Sequence, residues 1–70
     1  MNHLSRNSEY HQNRHVLEFE TAEDEALTDA QLVNVADGTE PDGKPCHFGG
    51  TVNRFVRDGK KLVEVVVYTD

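Results

Sequence analysis

The C-terminal third of the chain carries the clearest pattern of apolar and polar positions. Leu62 to Thr69 is dense in β-branched and aromatic residues, Thr51 to Val56 is a second such run, and Arg57-Asp58-Gly59-Lys60 lies between them. Stiff, branched side chains suit a pleated, half-buried surface, and an Asp-Gly pair supplies the positive φ angles that a two-residue type I′ turn demands. The pattern predicts a β-hairpin over 48–57 and 60–69, with Arg57 opposite Lys60, Phe55 opposite Leu62, Asn53 opposite Glu64 and Val52 opposite Val65. Alternation sorts this hairpin into two faces. Val52, Val56, Val63, Val65 and Val67, interrupted by Arg54, form the better core face. Thr51, Asn53, Phe55, Leu62, Glu64, Val66 and Tyr68 form the other, which is still apolar enough to suggest an exposed patch at Phe55, Leu62 and Tyr68 that a partner covers.

Upstream, His15 to Glu20 alternates, with Leu17 and Phe19 on one side, and predicts a short strand that brings Phe19 to the valine face as an aromatic anchor. Thr21 to Asp37 is the candidate helix. Thr21 can cap it, Glu23, Asp24 and Glu25 complement the positive end of its dipole, and Gly38 stands where a left-handed C-terminal residue belongs. Its apolar stripe of Ala22, Ala26, Ala30 and Val33, with Leu27 beside it, is thin. Thr28 offers a second capping position, and the alternation at Leu32 to Val35 allows a rival strand. The expected class is therefore α+β: a small antiparallel sheet with one helix near 22–36, the alternative being an all-β meander. Residues 1–14 are polar and without periodicity, and read as a flexible leader ahead of a single domain over 15–70. Asp37 to Pro45, with two Asp-Gly pairs and two prolines, reads as a solvated loop; Gly49-Gly50 marks a bulge or a close backbone approach.

Charge and composition narrow the function classes. A 70-residue chain is one domain with a modest core. Its single cysteine rules out an internal disulfide, which leaves homodimerisation or partner binding as routes to further burial. The net charge of −6 opposes binding to a nucleic-acid backbone or an anionic membrane. No apolar run approaches the roughly 20 residues that span a bilayer, and the N-terminal stretch lacks a signal-peptide core, so a cytoplasmic protein is expected. Between Val16 and Pro45 nine acidic residues face one base, whereas Arg54, Arg57, Lys60 and Lys61 gather at the hairpin tip.

No constellation supports catalysis. Cys46 and His47 are adjacent and would point to opposite faces of a strand, and the acidic loop fails the spacing of a calcium-binding hand. No cofactor is implied. The expectation is a non-catalytic acidic protein-binding module that modulates or inhibits a basic, nucleic-acid-binding partner. Its contacts would be Glu20, Glu23, Asp24, Glu25 and Asp29 on one surface and Phe55, Leu62 and Tyr68 on another. The alternative is a small metal- or ligand-binding accessory protein that uses His11, His15, Cys46 and His47.

Overall fold

The computed structural model describes residues 1–44 and 49–69. It is an α+β arrangement in which one face of a four-stranded antiparallel sheet carries two short helices. In chain order these are β1 (Asn2–Glu9), β2 (Gln12–Glu18), α1 (Ala22–Glu25), α2 (Asp29–Ala36), β3 (Gly50–Arg57) and β4 (Lys60–Tyr68). The strand order is β1-β2-β4-β3. The C-terminal hairpin has the expected register from Arg57↔Lys60 to Gly50↔Val67, and Asp58 and Gly59 both take positive φ, 54° and 76°, as the type I′ turn requires.

The register aligns side chains in rows across the covered face. One row runs Leu17, Val63, Arg54; the next His15, Val65, Val52; the next Asn13, Val67, Gly50. Val63, Val65 and Val67 of β4 are fully sealed, and Leu17, Leu32, Val33 and Ala36 close over them. The principal extents, 35 × 24 × 15 Å, leave room for one sheet and one helical layer. Among the described residues, no second layer covers the opposite face of the sheet.

The helical segment is broken where the sequence allows a restart. Thr21 Oγ1 accepts from the Asp24 N–H at 3.1 Å while Asp24 Oδ2 accepts from the Thr21 N–H at 3.3 Å, and Thr28 repeats this box with Gln31 at 3.2 and 2.9 Å. The second cap resets the helical phase. Leu32, Val33 and Ala36 therefore become the buried face, while Ala22, Ala26 and Ala30 of the expected stripe stay exposed. The helical state of Asp29–Ala36 excludes the all-β meander. α2 ends on Gly38 at φ 82°, where the Gly38 N–H bonds to the Val35 carbonyl at 3.1 Å and the Thr39 N–H to the Asn34 carbonyl at 2.8 Å, a Schellman closure.

Several expectations are corrected. Residues 2–9, read as a flexible leader, form edge strand β1, paired with β2 from Asn2↔Glu18 to Glu9↔Gln12 with one register shift between His3 and Ser5. All eight of its residues are exposed, so β1 has no apolar alternation to betray it. The tight turn Tyr10-His11, with His11 at φ 59°, lacks the usual turn residues. β2 begins at Gln12 rather than His15. The loop expected over Asp37 to Pro45 is seen as turns over Asp37 to Lys44, and it is tied to α2: the buried Asn34 amide donates to the carbonyls of Pro41 at 3.0 Å and Gly43 at 3.2 Å, and Gln31 donates to Asp42 at 2.9 Å. The expected first hairpin residue, Phe48, lies outside the described residues.

Gly50 sits where β3 passes between the Val66 carbonyl of β4 and Val33 of α2 with no room for a side chain. A Cβ there would stand 2.5 Å from the Val66 carbonyl oxygen and 3.0 Å from a Val33 methyl carbon. Gly50→Ala is expected to lower stability by about 1 to 3 kcal/mol through overpacking, read as a lower urea midpoint at unchanged m-value; an unchanged midpoint would show that α2 is not seated against β3. Thr28→Ala removes one capping bond and is expected to cost about 1 kcal/mol in the same measurement.

Candidate functional site

Among the described residues, two of the concave places bring charged or titratable side chains together with an opening. The first lies where the helical layer runs out. Phe19 follows β2 and bonds through its N–H to the Lys61 carbonyl at 3.0 Å, which continues the covered face by one more row: Phe19, Lys61, Val56. α1 is four residues long and does not roof this row. A groove of about 240 Å³ opens here, lined by Phe19, Phe55, Val56 and Leu62 with Glu25, Arg54 and Lys61 around it. Val56, expected in the core, is 70% exposed, and Phe19 packs on the margin of the core rather than within it.

Ion pairs hold the walls of this groove. Lys61 Nζ lies 2.8 Å from Glu25 Oε1, and Arg54 reaches both Asp29 Oδ1 at 2.7 Å and the Leu27 carbonyl at 3.1 Å. Arg54 thus clips the break between the helices onto β3. Glu25 beside it holds the Lys61 ammonium above its ordinary pKa range. These pairs are solvent-exposed, and their value is geometric more than energetic.

The expected acidic surface is largely engaged within the chain. The Met1 ammonium sits 2.7 Å from Glu20 and 2.9 Å from Asp24; the bonds to Glu20 and then Asp24 raise its pKa, and the same ammonium lowers that of Asp24. Glu25 and Asp29 hold Lys61 and Arg54. Glu23 alone of the five has no such partner among the described residues.

The expected apolar patch is only partly open. Tyr68 is 40% exposed and Phe55 half-buried under the Arg57 guanidinium, which stands 5.2 Å from its ring centre, but Leu62 is 5% exposed. Leu62 is buried, so the reading of it as exposed is corrected. On the same face Arg14 bridges Glu9 at 3.1 Å and Glu64 at 3.0 Å.

The second place is a polar pocket of about 260 Å³ lined by His3, Arg6, His15 and the end of α2 at Val35 to Gly38. His3 Nε2 and His15 Nδ1 are 3.0 Å apart, so one ring donates to the other. His15 is 2% exposed, and its Nε2 is buried without a hydrogen-bond partner. Burial first, then the charges of His3 and Arg6, lower the His15 pKa, against a weaker upward pull from Asp37. His15 pairs with His3, while the His11 ring meets Tyr10 edge-on, ring centres 3.9 Å apart. No cluster of three or more potential metal ligands occurs among the described residues, and Cys46 and His47 lie outside them.

No protein-family model, curated protein or solved structure matches this chain. No helix among the described residues is long and apolar enough to cross a membrane.

The His15 environment predicts an acid-sensitive fold. The folded pKa of His15 lies below its unfolded value near 6.5, so the unfolded chain takes up the proton first and stability falls as pH drops below about 6.5 toward the folded pKa. Melting temperatures recorded from pH 7.5 to pH 5.5 are expected to decline for the natural chain and to flatten in His15→Leu, which replaces the titrating ring by an apolar side chain. A natural-chain profile already flat over this window would remove His15 as the sensor.

Proposed function

We propose that this chain is a non-catalytic, cytoplasmic protein-binding module that receives an apolar side chain of its partner in the groove between α1 and the hairpin tip. The supporting observation is the unroofed row Phe19, Lys61, Val56, which leaves a 70% exposed valine on the same face as Phe19, in a groove rimmed by the Lys61–Glu25 and Arg54–Asp29 ion pairs. Interfaces of this kind draw their affinity from a buried apolar anchor, with charged residues at the rim supplying orientation and encounter rate. Reading the partner as a basic protein rests on the acidic segment, where Glu23 is the side chain left uncommitted by internal pairs. The groove supports the binding class independently of that choice.

Val56→Glu places a charge on the groove floor at an exposed position, where stability should move by only about 0.5 kcal/mol. It is expected to weaken a captured partner about tenfold or more, a loss of roughly 1.4 kcal/mol or greater. Glu23→Lys serves as the comparison: equal binding by Val56→Glu and natural chain, with loss in Glu23→Lys, would move the contact from the groove to the acidic segment.

A further inference from the structure

The sheet ends in two edges, and they are not alike. β1 is interrupted by the register shift at Leu4 and is polar at all its other positions, devices that blunt an edge against further pairing. β3 pairs with β4 in unbroken register over eight residues, without proline or bulge. The two-residue turn fixes which of its peptide groups are used. Arg57 and Lys60 flank the turn as a hydrogen-bonded pair, so Phe55, Asn53 and Thr51 turn their peptide groups toward β4, while Val52, Arg54 and Val56 turn theirs outward. The other side of β4 confirms this parity, because Lys61, opposite Val56, sends its carbonyl to Phe19 on the β2 side. No described residue bonds to the outward groups of β3. Nor does Arg54 shield them, since its side chain folds back over the sheet to Asp29 and Leu27.

We propose that the outer edge of β3 receives an extended, acidic segment of the partner by strand addition, with one apolar residue of that segment set beside Val56 in the groove. This rests on the groove-binding role proposed above, not on the basic-partner reading, and it names the chemistry of the docking segment alone, which is acidic whatever the net charge of the protein that carries it. An added strand lies about 4.8 Å beyond β3, so a side chain on its helix-facing side prolongs the row Phe19, Lys61, Val56. Charge selects the occupant. β3 carries Arg54 and Arg57 and no acidic residue, and Lys60 and Lys61 follow the turn. Arg57 and Lys60 face one another across the hairpin, and neither has a carboxylate partner among the described residues. A second copy of this chain paired edge to edge would add two more arginines to the same ladder, and like charges there are destabilising. Carboxylates on an incoming strand relieve the excess instead.

The test is selection of a random displayed-peptide library on the full chain, followed by amide-resolved NMR and hydrogen exchange with the selected synthetic peptide. Acidic and apolar residues are expected to alternate in the selected peptides, binding is expected to weaken with salt, and the amides of Val52, Arg54 and Val56 are expected to gain protection. Two substitutions at one position separate edge from groove. Val56→Pro keeps an apolar ring but removes an outward N–H that β4 does not use, whereas Val56→Ala keeps the N–H and trims the anchor. Val56→Pro is expected to weaken the peptide about tenfold or more and Val56→Ala less than that. If Val56→Ala and Val56→Glu abolish binding while exchange at Val52 and Arg54 is unchanged, the groove stands and strand addition is overturned. Enrichment of basic peptides, protection at β1 instead of β3, or a dimer of the free chain joined through β3 also overturns it. Failure to enrich any peptide overturns both proposals. Should Val56→Pro not fold, the exchange pattern of the natural chain with its peptide decides alone.

Discussion

Everything in this molecule depends on about two helical turns, the eight residues of α2, being pressed onto three valines. Val63, Val65 and Val67 sit on β4, which is paired on both sides, and Leu32 and Val33 of α2 seal them from above. A chain of this size has a stability of only about 4 to 10 kcal/mol, and one well-buried leucine or valine contributes about 1.5 to 3 kcal/mol of that. The seat of α2 is therefore not redundant. It requires the Thr28 box to start the helix in the right phase, Gly38 to stop it, and a glycine at position 50 to let it approach.

The parts of the fold that were legible in the sequence are those whose signal is local. The Asp58-Gly59 turn, the hairpin register and the two threonine caps each depend on residues within a few positions of one another. β1 was illegible because it buries nothing: a strand held by ladder hydrogen bonds to β2 needs no alternation, and its turn at Tyr10-His11 uses a histidine where glycine or asparagine would have announced it. The groove was illegible for a different reason. Val56 and Phe19 have sound core credentials by pattern, and only the four-residue length of α1, set by the restart at Thr28, leaves them uncovered. The pairing of His15 with His3 rather than His11 likewise follows from β1, and so could not be read before that strand was known.

Charge plays a structural part that composition does not reveal. A surplus of acidic residues suggests a surface meant for a basic partner, yet the acids around α1 close on the N-terminal ammonium, Lys61 and Arg54. These contacts cross from helix to sheet or from N-terminus to helix, joining elements that share few apolar contacts. Exposed pairs contribute little energy individually, but here they orient two short helices whose own length would not sustain them.

The wholly exposed character of β1 has a last consequence. Opening free energy is distributed unevenly in small domains, and segments without buried side chains open first. Detaching β1 would leave the valine core and α2 in place, but it would strip the His3 ring from His15 and convert β2 from an interior strand into an edge. The molecule thus contains a smaller three-stranded body within the four-stranded one, with a histidine at the boundary between them.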